Sequence, residues 1–171
     1  MIPETAQDRS VKLYRAVSFP DQWELVGNLL ENIEAADATI LEYDGSWYMF
    51  VNVSEHGGST CDELFLFFAD SPLGPWKPHC MNPIKSDVRS SRPAGNIFKH
   101  DGRLIRPSQD CSKTYGYAVQ FCEIKKLTRD DYEEEILGRI DPVWMIGLLG
   151  THTYNRSENI ETIDGKIAQY L

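Results

Sequence analysis

The hydrophobic pattern of the chain consists mainly of short apolar segments that end at Asp-Gly pairs. The clearest case is residues 37–52, where an apolar segment, Asp44-Gly45 and a segment rich in aromatic residues follow one another. Asp-Gly between two such segments favours a type I′ turn, because both central residues of that turn have positive φ. The sequence therefore predicts a β-hairpin that turns at Asp44-Gly45.

The same arrangement occurs twice more along the chain. Asp101-Gly102 and Asp164-Gly165 each follow an isoleucine that lies four residues before the aspartate, as in the first copy. The copies lie about 60 residues apart, somewhat more than the roughly 40–50 residues of a typical propeller blade. We therefore predict three related β-units, each with a hairpin at its Asp-Gly pair.

The remaining apolar segments also fit strands, with two ambiguous places. Residues 64–69 are apolar on both faces, which is typical of a central strand. Residues 23–30 fit a helix or a strand equally well. Thr128 followed by Asp131 resembles a helix start, and the acidic residues 130–135 suit a first helical turn. We predict an all-β fold of antiparallel sheets with one or two short helices.

Length, composition and charge exclude several classes of protein. The 171 residues, 42% of them hydrophobic, are enough for a single domain over residues 1–171. The formal charge of −9 and the lack of a basic run argue against a nucleic-acid partner. The longest apolar run, around residues 143–150, is too short to span a membrane, and the first residues lack the pattern of a signal peptide. We expect no membrane partner and a cytoplasmic protein, or else a piece of a longer chain.

The cysteines and histidines do not have the spacing of metal ligands. There is no Cys-x-x-Cys pair among the four cysteines and no closely spaced pair among the four histidines. We therefore expect free thiols and no cofactor, and the sequence gives no indication of a structural calcium ion.

Several motifs resemble those of a known family. The most specific are Ser71-Pro-Leu-Gly-Pro-Trp76, Ser91-Arg-Pro-Ala-Gly95 and Arg106-Pro-Ser-Gln-Asp110. They resemble the C-terminal part of a five-bladed β-propeller of glycoside hydrolase families 43 and 32, the arabinanase, xylosidase and fructosidase type. The likeness covers nearly the whole chain. It is strongest to a less characterised branch that also resembles a domain fused to certain inositolphosphorylceramide glycosyltransferases.

The resemblance implies a partial propeller of about three blades, with a ligand site where the first strand of each blade lines a central funnel. Asp37 lies seven residues before Asp44 and matches the funnel carboxylate of those families. The corresponding positions of the other two units hold Ala94 and Ser157. The three carboxylates expected of such an enzyme are therefore not all present.

Glycoside hydrolysis uses one carboxylic acid to protonate the leaving oxygen and a second carboxylate as base or nucleophile. We assign Asp37 as one member of this pair and Asp110 or Glu34 as the other. Asp37 has an alternative structural role, in which it caps the turn that leads into its strand.

Other polar and aromatic residues of the motifs are candidates for substrate binding. Arg92 and Arg106 can hold sugar hydroxyls or an anionic group in bidentate fashion, or else connect neighbouring units through carbonyl groups. Gln109 and His152 can supply hydrogen bonds. Trp47 can stack on a sugar ring or pack in the core.

The leading functional hypothesis is a carbohydrate-active protein that hydrolyses glycosidic bonds. The alternative is a non-catalytic glycan-binding or scaffold module, derived from the same fold and working beside a glycosyltransferase. Three units are too few to close a five-bladed ring, and open edges leave unpaired backbone groups and apolar surface in water. We therefore expect a homodimer with a carbohydrate ligand.

Overall fold

The computed structural model describes residues 1–55 and 57–168, which are built almost entirely of β-strands. A 3-10 turn at Ala6–Asp8 is the one helical segment within these residues. The strands are β1 (Ser10–Ser18), β2 (Gln22–Glu31), β3 (Ala35–Tyr43), β4 (Ser46–Val53), β5 (Glu63–Ala69), β6 (Lys77–Pro78), β7 (Lys85–Ser86), β8 (Phe98–His100), β9 (Arg103–Asp110), β10 (Ala118–Leu127), β11 (Tyr132–Ile140), β12 (Leu148–Gly150), β13 (Tyr154–Arg156), β14 (Glu161–Ile163) and β15 (Lys166–Ile167). The predicted all-β class is confirmed.

The first two strands form a separate antiparallel hairpin. β1 pairs with β2, and the chain turns at residues 19–21. The indole Nε1 of Trp23 donates a hydrogen bond to the carbonyl oxygen of Pro20 at 2.8 Å, which stabilises the turn. The ambiguous residues 23–30 are therefore a strand, because they complete a ladder with β1.

The largest sheet has five strands in the order β3-β4-β5-β6, with β7 also paired to β5. Its first hairpin turns at Asp44-Gly45, whose φ angles of 49° and 71° are both positive, as predicted. Leu64 and Leu66 are fully buried, which confirms that residues 64–69 form a central strand.

The second large sheet has four strands in the order β11-β10-β9-β8. Its hairpin between β8 and β9 turns at Asp101-Gly102, again with positive φ at both residues. The third predicted hairpin, at Asp164-Gly165, does not form, since β14 pairs with β13 and β15 with β12. The Asp164 side chain instead accepts hydrogen bonds from the backbone N–H groups of His152 and Thr153.

The helix predicted near residue 130 is wrong. Residues 128–131 form the loop of the β10–β11 hairpin, in which Leu127 pairs with Tyr132. The Thr128 N–H donates to the Asp131 carbonyl at 3.0 Å, and the Thr128 hydroxyl accepts from the Asp131 N–H at 2.9 Å. A threonine that resembles a helix cap thus closes a turn, because the same side-chain bond serves both structures.

The core occupies both faces of the five-stranded sheet. Alternate residues of β4 point to opposite sides, so Tyr48 and Phe50 join one cluster and Met49 and Val51 another. The first cluster includes residues of β5, β9, β10 and β11 and so lies between the two large sheets. The second cluster includes β1 and β2 and attaches the N-terminal hairpin.

No helix in the described ranges is long and apolar enough to cross a membrane. The four cysteines are free, as expected. Within the same ranges there is no group of three or more His, Cys, Asp or Glu residues positioned to hold a metal ion.

Candidate functional site

Three of the predicted site residues line one pocket. Asp37, Gln109 and His152 surround a cavity of about 220 Å³ whose wall also includes Tyr115. Arg92 donates a hydrogen bond to Asp37 but is not itself one of the residues that line the cavity. The pocket thus brings together β3, β9, the loop before β10 and the segment after β12, which are far apart in sequence.

A β-bulge directs Asp37 towards this site. The pairing of β3 with β4 shifts register between Ala36 and Thr39, and Asp37 has a positive φ of 53°. Aspartate adopts this backbone conformation more readily than most residues, and bulges commonly redirect a side chain next to a functional site. Its Oδ2 atom accepts hydrogen bonds from Arg92 Nε at 2.6 Å and from Gln109 Nε2 at 2.9 Å.

Arg92 is held by protein groups on several sides. Beyond its bond to Asp37, its Nη1 donates to the carbonyl oxygen and the hydroxyl of Thr60 at 2.8 and 3.1 Å. Its Nη2 lies 3.5 Å from Glu4 Oε2, and its side chain is 8% exposed. Burial lowers the pKa of Arg92, but the charge and hydrogen bond of Asp37 raise it overall. Arg92 therefore positions Asp37 and has little surface left for a ligand.

Glu4 is a second carboxylate at the site that the sequence did not suggest. Its Oε2 accepts a hydrogen bond from the backbone N–H of Asp37 at 3.3 Å. Burial and the charge of Asp37 raise the pKa of Glu4, which Arg92 partly opposes. Glu4 belongs to none of the repeated motifs, so only the packing of the N-terminal segment reveals it.

His152 and Tyr115 form the opposite wall of the pocket. Nδ1 of His152 lies 2.5 Å from Oδ2 of Asp164, so this carboxylate orients the imidazole. The Tyr115 ring packs edge-on against His152 at 5.6 Å between centroids, and it lies 4.9 Å from the Arg92 guanidinium carbon. Tyr115 is half exposed, and its side chain forms part of the cavity wall. Neither Tyr115 nor Asp164 was predicted at the site.

Two other predicted site residues lie in separate ion pairs. Arg106 is 1% exposed and donates to both carboxylate oxygens of Glu134, at 2.7 and 2.8 Å. Asp110 is fully buried, pairs with Arg139 and accepts from the Ser112 N–H at 2.8 Å. Asp110 therefore does not line the cavity that Asp37 lines.

Trp47 and Glu34 also lie away from this pocket. Trp47 pairs with Glu42 near the hairpin turn, five residues along β4 from the level of Asp37, or roughly 17 Å. Glu34 lines a larger cavity of about 570 Å³ that none of the other predicted site residues lines. The sequence thus predicted the members of the pocket only in part.

Comparison with known proteins relates the chain to a transferase family. Residues 1–141 match the family model described as glucosamine inositolphosphorylceramide transferase 1, N-terminal. The protein of that name from Oryza sativa subsp. japonica is 39% identical over 137 residues, and its namesake from Arabidopsis thaliana is 36% identical over 139 residues. Each match covers 78% of this chain but 18% of the relative, so the chain spans less than a fifth of their length.

These relatives correct one expectation and confirm another. They carry the name of a transferase, so the classification of this chain as a hydrolase or glycosidase is wrong. The expected likeness to a domain fused to an inositolphosphorylceramide glycosyltransferase is confirmed. The chain belongs to the family of the N-terminal region of glucosamine inositolphosphorylceramide transferase 1.

Proposed function

We propose that this domain binds a carbohydrate without cleaving it, in the pocket formed by Asp37, Gln109, Tyr115 and His152. The observation that carries the proposal is the convergence of these four side chains on one cavity. A few convergent polar groups beside an aromatic ring in a concave site are typical of a ligand pocket.

The chemistry of the pocket suits a sugar ring. A carboxylate accepts hydrogen bonds from hydroxyl groups, and a tyrosine ring packs against the apolar C–H face of a pyranose. The cavity of about 220 Å³ is smaller than the roughly 300–1,000 Å³ of pockets for drug-sized ligands. We therefore propose one monosaccharide unit, or the terminal unit of a longer glycan, as the ligand.

The relatives suggest how such binding is used. Their name is that of a transferase and contains both glucosamine and inositolphosphorylceramide. The relatives are several times longer than this chain. We propose that the domain holds a carbohydrate group of that reaction while catalysis takes place in another part of the longer proteins. The domain then acts as a recognition module beside a glycosyltransferase.

We also propose the arrangement of the sheets and their assembly. The two large sheets have neighbouring strands in chain order, as propeller blades do, which supports their assignment as blades. An incomplete ring leaves open edges, and we propose that two copies of the chain associate to cover them.

Binding of sugars to the purified chain tests the main proposal. We expect isothermal titration calorimetry with a panel of monosaccharides to detect binding by at least one of them. Tyr115→Ala should weaken this binding by roughly tenfold, because stacking and shielding of the pocket are lost. Phe19→Ala, which removes an exposed aromatic ring at the tip of the first hairpin, is the matched control and should leave the affinity for the sugar unchanged. Equal loss in both variants, or no binding of any sugar, would contradict the proposal.

A further inference from the structure

Resting on the proposed carbohydrate binding, we infer that this pocket selects an amino sugar with a free ammonium group over neutral sugars and over phosphorylated polyols. The ammonium group lies against Asp37 in this arrangement, and Tyr115 packs against the sugar ring. The inference follows from the hydrogen-bonding atoms that remain free at the pocket and from its charge.

The donors around Asp37 are already used by the protein. Gln109 Nε2 donates at 2.9 Å both to Asp37 Oδ2 and to the Pro93 carbonyl, so the two amide hydrogens are occupied. Arg92 donates to Asp37 and Thr60 and faces Glu4. These groups fix the site and leave few N–H groups for an anionic ligand.

The carboxylate oxygen of Asp37 that remains free is an acceptor. Asp37 Oδ1 has no donor among the residues that the structure describes, although Asp37 lines the cavity. Gln109 is 3% exposed, and its Oε1 accepts a long hydrogen bond from the Cys111 thiol, at 3.9 Å. A ligand that donates hydrogen bonds, and above all one that carries a positive charge, satisfies Asp37 Oδ1 best.

The charged groups at the site also favour a positively charged ligand over an anionic one. Asp37 lines the pocket, and Glu4 and Asp164 each contact a lining residue. Arg92 and His152 are the basic groups of this set, which holds three carboxyl groups. In the described ranges no lysine or arginine lines the cavity. A phosphate group would lie beside these carboxylates without a free arginine to hold it.

The two neighbouring carboxylates also favour a cation. Burial and the charge of Asp37 raise the pKa of Glu4, which means that the ionised form of Glu4 is disfavoured beside Asp37. A ligand ammonium group near both carboxylates relieves this repulsion. Glucosamine is the simplest probe that combines such a group with a sugar ring.

The test compares glucosamine with glucose, which has a hydroxyl in place of the amine, and with inositol 1-phosphate. By calorimetry on the whole chain at mildly acidic pH, we expect glucosamine to bind about tenfold more tightly than glucose, the difference between a charged and a neutral hydrogen bond. Added salt should reduce this preference. Inositol 1-phosphate should bind more weakly than either sugar.

Asp37→Asn should reduce the preference for glucosamine over glucose to about twofold or less, since the carboxylate charge is lost. Asparagine tolerates the positive φ at this position, so the bulge is retained, and a thermal melt checks the fold. Glu4→Gln should reduce the preference by a smaller factor. Asp70→Asn removes an exposed aspartate that pairs with Arg129 elsewhere, and this control should leave the preference intact.

The outcomes separate this inference from the proposed function. Equal affinity for glucosamine and glucose, or tightest binding of inositol 1-phosphate, would overturn the choice of an amino sugar while carbohydrate binding stands. A preference for glucosamine that survives both Asp37→Asn and Glu4→Gln would overturn the assignment of the ammonium group to this site. No binding of any sugar would overturn both proposals.

Discussion

At the scale of single residues, the buried ion pair between Arg106 and Glu134 lies outside the pocket. Glu134 accepts hydrogen bonds from Arg106 through both oxygens, and Lys85 and Tyr132 donate to it at 2.5 Å each. Burial alone would raise the pKa of Glu134, but Arg106 and Lys85 lower it to about 2. A motif arginine that resembles a binding residue in sequence is thus a structural residue, which connects β9 to β11.

This pair predicts how stability depends on pH. Because the pKa of Glu134 is about 2 in the folded protein and 4.5 ordinarily, its ionisation stabilises the fold above pH 4.5. That contribution, about 3 kcal/mol, should be lost as the pH falls from 4.5 towards 2. Glu134→Gln should lower the free energy of unfolding by about 3–5 kcal/mol at neutral pH, since Arg106 loses its charged partner, and the difference from the wild type should shrink in acid.

Urea unfolding at a series of pH values measures both effects. Glu24→Gln removes an exposed carboxylate that pairs with Arg15, and this control should change stability by no more than about 0.5 kcal/mol. A Glu134→Gln variant that keeps the wild-type pH profile would refute the assignment.

At the scale of elements, the segment Ser91–Gly95 joins the second sheet to the strands near the C-terminus. Ala94 accepts a backbone hydrogen bond from Tyr154 at 2.8 Å, and the Asn96 N–H donates to the Asn155 side chain at 3.0 Å. The two backbones approach so closely at Gly95 that a β-carbon there would lie 2.0 Å from the Tyr154 carbonyl oxygen. This contact holds the segment that carries His152 against the rest of the pocket.

Gly95→Ala should therefore destabilise the protein by more than about 2 kcal/mol, because backbone strain at φ 150° adds to the steric overlap. The substitution should also weaken the binding of any ligand that contacts His152. Chemical denaturation checks the first effect, with Gly138→Ala in β11 as the control, since no atom lies within 4 Å of a β-carbon there. Equal stability of the two variants would show that the segment can shift to accept a side chain.

At the scale of the whole molecule, apolar residues are concentrated on an exposed surface near the C-terminus. Val143 is 82% exposed and Ile146 fully exposed, and Trp144, Met145, Leu149 and Ile167 are each about half exposed. Exposed apolar groups that are continuous in this way are typical of interaction surfaces. Residues 143–149 lie just beyond the part of the chain that matches the family model, which ends at residue 141.

The proposed homodimer makes a prediction for this surface. We expect sedimentation velocity at micromolar concentration to show a dimer, and Ile146→Glu to shift it towards monomer because the charge would be buried at the contact. Phe19→Glu changes an equally apolar exposed side chain at the tip of the β1–β2 hairpin and should leave the dimer intact. A wild-type protein that sediments as a monomer would contradict the proposal.

Much of the strand structure could be predicted from the sequence because its signals are local. The turns at Asp44-Gly45 and Asp101-Gly102 and the apolar run 64–69 depend on backbone preference and burial over a few residues. The same signals failed at residues 128–131 and at Asp164-Gly165. A Thr-x-x-Asp motif suits a hairpin loop as well as a helix cap, and Asp164 forms its hydrogen bonds with the His152 segment instead of its own turn.

The sequence by itself determined the β-rich class, two of the hairpins and the identity of several pocket residues, because these follow from local patterns and specific motifs. Only the tertiary structure decided which polar residues meet. Gln109 and Asp110 are neighbours on β9 whose side chains point to opposite faces, so one reaches the pocket and the other an ion pair. Glu4 and Tyr115 join the site through contacts between segments distant in sequence, and no local pattern encodes such contacts.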